Sequence, residues 1–113
     1  MSRLAAFAIV TVTIVAGPIP VDAYIIDSLM VDLVGHDRHP SAFLVYLYLW
    51  RRSTANRGRR VAVSYQTIAN DTGLSKSAVQ AAIRTLSRRR LVSVERQSIT
   101  AVPAYTIATP WRH

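Results

Sequence analysis

The stretch that most constrains the fold covers residues 64–91, where helix signals lie on both sides of a glycine. Ser64 and Ser75 each precede a helical pattern, and a serine hydroxyl in that position accepts a bond from a free N–H of the first turn. Gly73 separates the two patterns, because a helix that ends in a left-handed residue favours glycine there. The sequence therefore predicts two helices joined by a tight turn, the second over residues 75–88.

The second of these helices is amphipathic and has a basic polar face. Val79, Ile83 and Leu86 recur every three or four positions, which places them on one side of a helix. The opposite side carries hydrogen-bonding groups without any acid: Lys76, Ser77, Gln80, Arg84 and Arg88. We expect the apolar side to face the core and the basic side to face a ligand or solvent.

Three short runs of alternating residues predict strands around this helix pair. They lie at residues 61–63, 91–94 and 104–108, and the polar segment 95–103 connects the last two. A mainly α domain with a small antiparallel β wing is therefore expected. Over residues 41–108, the order of strand, helix, turn, helix, strand, loop and strand resembles the winged helix-turn-helix family of bacterial regulators.

The resemblance implies that the helix over residues 75–88 enters the major groove of DNA with its N-terminal half leading. The side chains that would then contact bases are Ser75, Lys76, Ser77, Gln80 and Arg84. Those that would contact phosphates lie in the basic loop before the helix pair, in its first helix, at the end of its second helix and in the wing: Arg57, Arg59, Arg60, Tyr65, Thr67, Arg88, Arg89, Arg90 and Arg96.

One position departs from the family pattern. Family members usually carry glycine just before the leucine that begins the wing strand, whereas here Arg90 precedes Leu91. If Arg90 takes the left-handed conformation, the cost is roughly 1–2 kcal/mol. The wing is also poor in basic residues, so a DNA contact by the wing has less support than one by the second helix.

Positive charge is concentrated in the same part of the chain. The net charge of +8 is made up of −2 before Arg51 and +10 from Arg51 onward. A polyanion is the natural partner of the second part, because neutralising phosphates releases condensed counterions. An arginine-rich proteome would also produce a basic chain, but it would not explain this asymmetry.

Length and composition predict one folded domain over residues 21–109 and a short tail at 110–113. The chain has no cysteine, which excludes disulfides and thiolate zinc sites and agrees with a reducing cytoplasm. The sequence contains no glycine-rich phosphate loop, paired carboxylates or nucleophile turn, so we expect neither an enzyme nor a cofactor. His36, Asp37 and His39 lack further nearby donors, and they predict a polar turn rather than a metal site.

Two more helices are expected before the basic loop. One covers residues 22–35, with Asp22 as its N-cap and Gly35 at its end. Its apolar stripe is expected to contain Ile25, Ile26, Leu29, Leu33 and Val34. The other covers residues 41–52 and is apolar nearly all round, so it should be the central helix, with its tyrosine hydroxyls at the surface.

Residues 1–20 form an apolar N-terminal segment that has three explanations. Its run at 4–16 imitates a secretory signal, although a membrane span needs about 20 apolar residues. The Val, Ile and Thr content suits a strand or arm packed on the domain. A start codon placed upstream of the true one is the third explanation. We expect an attached arm that is buried on the domain or between two copies.

The sequence is best interpreted as a cytoplasmic protein that binds double-stranded DNA sequence-specifically, most simply a small transcriptional regulator. The DNA-binding module of a phage or plasmid replication initiation protein would look alike at this level. Two interpretations of another class stay open: a winged-helix module that binds a protein, and an exported or membrane-associated protein with a signal at residues 1–23. A homodimer also stays open, no small-molecule effector is evident, and membrane contact is not expected.

We predict that the chain made in bacteria keeps residues 1–23, because DNA binding needs the cytoplasm and the apolar run is short for a bilayer. Intact-protein mass spectrometry measures the mature mass. A product that begins at Tyr24 would show export instead.

Overall fold

The computed structural model describes residues 17–112. The apolar run at residues 4–16 and the last residue of the expected tail lie outside this part. The elements in chain order are a helix α1 wound in two stretches, Ile25–Leu29 and Val31–His36, then α2 (Pro40–Ala55), β1 (Val61–Ala62), α3 (Tyr65–Thr72), α4 (Lys76–Arg88), β2 (Val92–Glu95) and β3 (Ala104–Ile107). None of the helices within residues 17–112 has the length and apolar character needed to span a bilayer.

The sheet is antiparallel, with the strand order β1-β3-β2. Tyr105 in β3 pairs with Val61 on one side and with Val94 on the other. The hairpin of β2 and β3 encloses the polar loop that the sequence places there. The three strands, the four helices and their order confirm the mainly α class with a small β wing.

Helix α2 is the centre of the core, as its apolar sequence predicts. Ala42, Val45, Tyr46 and Leu49 are fully buried, and α2 contacts α1, α3, α4 and the sheet. Tyr46 corrects the expectation that its hydroxyl stays at the surface: the hydroxyl donates to the carbonyl oxygen of Ala108 at 2.9 Å. This bond offsets the cost of burying the hydroxyl, and burial raises the pKa of Tyr46.

Helix α1 is wound more widely than an α-helix. The N–H of Met30 donates to the carbonyl of Ile25, and the N–H of Asp37 donates to the carbonyl of Asp32. Both bonds reach five residues back, as in a π-helix. The helix continues through His36, so the expectation that it ends at glycine 35 is wrong.

Only part of the apolar stripe of α1 reaches the core. Ile25, Leu29 and Leu33, spaced by four, are buried. Ile26 and Val34 were expected in the same stripe but are 48% and 38% exposed. That expectation is wrong, because the buried side of α1 is narrower than the apolar stripe of its sequence.

Three of the four helices are followed by an arginine with a left-handed backbone. Arg38 follows α1, Arg57 follows α2 and Arg90 follows α4, with φ of 51°, 58° and 58°. Helix α3 alone ends at a glycine, Gly73, with φ of 81°. Since the left-handed conformation costs a non-glycine residue roughly 1–2 kcal/mol, the surrounding packing must hold these turns in place.

Contacts of Asp22 join the two ends of the described chain. This residue was expected to cap α1, but its carboxylate accepts bonds from the Trp111 indole at 2.8 Å and the Arg112 guanidinium at 2.7 and 2.8 Å. The ring of Tyr24 stacks on Trp111 with the ring centres 4.8 Å apart. Residues 111 and 112 are therefore packed against the start of α1.

We predict that Asp22 contributes to the acid dependence of stability. The bonds from Arg112 and Trp111 lower the pKa of Asp22 from 3.8 to about 2. Its contribution is therefore present above pH 3.8 and is lost as the pH falls towards 2. Asp22→Asn should lower the Tm at neutral pH and flatten the fall of the Tm in acid.

Thermal unfolding followed by circular dichroism at stepped pH measures this effect. Asp27→Asn is the matched control, because Asp27 is an exposed acid in the first turn of α1, five residues after Asp22. If the Tm of Asp22→Asn fell with pH as steeply as that of the wild type, the role assigned to Asp22 would be wrong.

Candidate nucleic-acid interface

Helix α3 begins and ends at the residues that the sequence indicates. The Ser64 hydroxyl accepts a bond from the N–H of Thr67 at 3.1 Å. At the other end, the N–H of Gly73 donates to the carbonyl of Ala69 at 2.9 Å, which is the bond of a helix that ends in a left-handed residue. Only Leu74 and Ser75 separate Gly73 from α4, so the tight turn between the helices is confirmed.

Helix α4 is capped by Ser75, whose hydroxyl accepts a bond from the N–H of Ala78 at 3.1 Å. Its buried side contains the three residues that the spacing predicts and two more: Val79, Ala82, Ile83, Thr85 and Leu86. This side packs on α2, α3 and β2. The orientation of α4 is therefore set by a wide apolar and small-residue contact.

The candidate base-contacting residues lie on the solvent side of α4. Ser75, Lys76, Ser77 and Arg84 are exposed, and Gln80 is half-buried. Within residues 17–112, the side chains of Lys76 and Arg84 have neither an ion pair nor a hydrogen bond. Both cations are therefore available to an anion or to a base edge.

Tyr65 and Thr67, the candidate phosphate contacts of α3, lie in its first turn beside the wing. The Thr67 hydroxyl accepts a bond from Ser64 at 3.0 Å and keeps its own hydrogen for another partner. The Arg96 guanidinium lies over the Tyr65 ring, 5.2 Å from the ring centre, and donates to the carbonyl of Ile99 at 3.0 Å. Arg96 thus holds the wing loop against α3.

The other candidate phosphate arginines fall into two groups. Arg60 donates to Glu95 at 2.8 Å, and Arg89 donates to Asp37 through two bonds of 2.6 and 2.7 Å. The second group is exposed: Arg57, Arg59 and Arg90 have no side-chain partner within residues 17–112, and Arg88 makes one bond of 3.4 Å to a threonine of its own helix. The structure therefore separates arginines that look equivalent in the sequence.

Acidic charge near α3 and α4 is already neutralised. Asp71 accepts a bond from the Tyr48 hydroxyl at 2.6 Å and lies 3.9 Å from the Arg52 guanidinium. Burial and the bond to Asp71 raise the pKa of Tyr48. The other acid of this half, Glu95, is paired with Arg60. These two acids therefore do not pair with the exposed cations of α4.

The end of α4 is closed by the residue that replaces the family's glycine. Arg90 has the left-handed backbone that this position requires. Its N–H donates to the carbonyl of Ser87 at 3.0 Å. The next N–H, from Leu91, donates to the carbonyl of Leu86 at 2.9 Å. These are the two bonds of a Schellman helix end, here formed without glycine.

The turn between α1 and α2 makes contacts with α4 that the sequence did not predict. His39 Nδ1 lies 2.8 Å from the Thr85 hydroxyl, and Asp37 binds Arg89. His36 instead pairs with an acid of its own helix at 3.1 Å. Among residues 17–112 there is no group of three potential metal ligands. No local pattern could reveal the first two contacts, because they join residues about half the chain apart.

Comparison with known proteins gives one family. A family model described as a helix-turn-helix domain matches residues 39–92, the segment from the start of α2 to the start of β2. No curated protein and no solved structure matches the chain.

We predict that Arg90→Gly stabilises the free protein. Relief of the left-handed strain gains roughly 1–2 kcal/mol, and the greater chain entropy of glycine takes back roughly 0.5–1 kcal/mol. The two ranges leave a net gain in the free energy of unfolding of up to about 1.5 kcal/mol, measurable by urea denaturation.

Arg88→Gly is the control for that measurement. It lies inside the last turn of α4, so it should lose about 1 kcal/mol. Destabilisation of both variants would show that strain at Arg90 is not relieved by glycine.

Proposed function

Because residues 39–92 form a helix-turn-helix domain, we propose that this chain binds double-stranded DNA sequence-specifically, with α4 in the major groove. The observation that carries the proposal is the solvent side of α4. Lys76 and Arg84 are unpaired there within the described residues, on either side of Gln80, and no acid lies on that helix.

The chemistry of these side chains suits base edges. The amide of Gln80 can bond an adenine at two positions, and Lys76 and Arg84 can donate to the acceptors of guanine. The hydroxyls of Ser75 and Ser77 lie 3.3 Å apart at the start of α4 and can donate to either kind of base. The N-terminal half of α4 would therefore supply most of the specificity.

Phosphate contacts would surround this helix. Tyr65 and Thr67 lie at the N-terminus of α3, where backbone N–H groups favour an anion. The unpaired arginines lie in the loop before β1 and after α4: Arg57, Arg59 and Arg90, with Arg88 beside them. Arg60 and Arg96 each donate one N–H to a protein partner and keep four of five for a phosphate, whereas Arg89 is bound by both oxygens of Asp37.

A small transcriptional regulator acting in the cytoplasm is the simplest role for such a module. The charge distribution supports a nucleic-acid partner, because +10 of net charge lies from Arg51 onward. Affinity should therefore fall steeply as salt rises.

Selection of bound DNA from a random pool by the purified chain tests the proposal. Enrichment of a defined site is expected, and a palindromic site would indicate that two copies bind together. Recovery of random sequences with the same salt dependence would leave only a non-specific binder. Failure to bind DNA at low salt would overturn the proposal.

Side-chain roles are tested on the selected site. We predict that Gln80→Ala relaxes preference at one base pair by about 1–3 kcal/mol, because the half-buried amide is the group best placed for a two-bond contact. Arg84→Ala, one turn later on the same side, should relax a different base pair. Competition binding with single-base variants of the site measures both.

The triple variant of Lys76, Gln80 and Arg84 to alanine keeps the apolar side of α4 and should stay folded. If it kept full affinity and full preference, α4 would not be the recognition helix.

A further inference from the structure

The last turn of α4 is held from behind by the turn between α1 and α2. Asp37 accepts two bonds from Arg89, Nε to Oδ2 at 2.6 Å and Nη2 to Oδ1 at 2.7 Å. Two residues further on, His39 Nδ1 lies 2.8 Å from the Thr85 hydroxyl. Thr85 and Arg89 are one helical turn apart, so one short segment contacts α4 at two successive levels.

The pair of Asp37 and Arg89 has the geometry of a strong ion pair. Two parallel charge-assisted bonds between a guanidinium and a carboxylate add strength and fix orientation. Arg89 lowers the pKa of Asp37 mainly through these bonds, and Asp37 raises the pKa of Arg89 in the same way. The two side chains are only 36% and 24% exposed, so solvent screens the pair incompletely.

Arg89 therefore differs from its two neighbours. Arg88 makes a single bond of 3.4 Å, and the Arg90 side chain has no partner within residues 17–112. Three consecutive arginines after a major-groove helix could each contact phosphate. One of them is instead bound at the protein surface by an acid 52 positions earlier.

We propose that Asp37 determines specificity by withholding Arg89 from the DNA backbone and using it, together with His39, to fix the orientation of α4. The inference rests on the proposed function. Phosphate contacts strengthen binding to every sequence and carry no base information. The useful quantity is the ratio of specific to non-specific affinity. Because Arg89 binds Asp37 rather than a phosphate, non-specific affinity is lower. Because the same pair holds α4 in place, specific affinity is kept, and the ratio rises.

The test measures the affinity of full-length protein for the selected site and for random DNA between 50 and 200 mM salt. Asp37→Asn releases Arg89, so the salt slope should steepen by about 0.9, which corresponds to a roughly threefold larger loss of affinity across this range. Binding to random DNA should tighten at low salt, and the specificity ratio should fall. The double variant Asp37→Asn with Arg89→Gln should return the slope to that of the wild type.

Arg89→Gln and Arg90→Gln form the matched pair. Arg89→Gln should leave the salt slope unchanged, whereas Arg90→Gln should lower it by about 0.9. A purely structural ion pair would change the Tm but not this slope. If Asp37→Asn does not fold, the two arginine variants still test the inference, because a slope lowered by Arg89→Gln as much as by Arg90→Gln would overturn it.

The inference is overturned if Arg89→Gln lowers the slope as Arg90→Gln does, because Arg89 would then contact phosphate in the wild type. It is also overturned if folded Asp37→Asn keeps the wild-type slope and ratio. Failure of the wild type to bind any DNA overturns the proposed function, and the inference with it. The separate failures are therefore distinguishable.

Discussion

The fold depends on the burial of α2. A helix that is apolar nearly all round needs cover on most of its surface, and α1, α3, α4 and the sheet supply it, with Leu44 left exposed. Two of its side chains also form hydrogen bonds with other parts of the chain. The Tyr46 hydroxyl donates to the carbonyl of Ala108 after β3, and the indole of Trp50 donates to the carbonyl of Pro20 before α1 at 2.9 Å. Elements from both ends of the described chain thus meet on one helix.

Covering α2 also determines which surface is left for a ligand. Helix α4 buries its apolar side against α2 and α3, so its basic side must face solvent. The acids near this surface are paired, Asp71 with Tyr48 and Arg52, and Glu95 with Arg60. The unpaired cations therefore create a positive surface centred on α4. Core packing and the pairing of the acids therefore both indicate the same side of α4 as the ligand surface.

Arginine has three different roles in this small domain. As a backbone residue it occupies left-handed positions after three helices, at Arg38, Arg57 and Arg90, where glycine would be less strained. As a structural side chain it binds carboxylates or stacks on rings, as Arg112 does with Asp22 and with the Trp50 ring, 5.6 Å from its centre. Among residues 17–112, Arg59, Arg84 and Arg88 are examples of the third role, exposed cations without a carboxylate partner. The excess of arginine therefore overstates the charge available to DNA.

Sequence alone determined the features that depend on neighbours within a turn of helix or strand. The caps Ser64 and Ser75 and the turn at Gly73 were predictable, because their hydrogen bonds join residues a few positions apart. The apolar side of α4 and the three strands were predictable, because the spacing of apolar residues along the chain shows which side is buried. Tertiary structure alone decided the winding of α1, the buried hydroxyl of Tyr46 and the partners of the acids. Asp37 and Arg89 are 52 positions apart and Asp22 and Arg112 are 90 apart, and no periodicity connects charges at such separations. Which arginines stay free for phosphate is therefore a property of the folded chain, because an ion pair forms only where packing brings its two charges together.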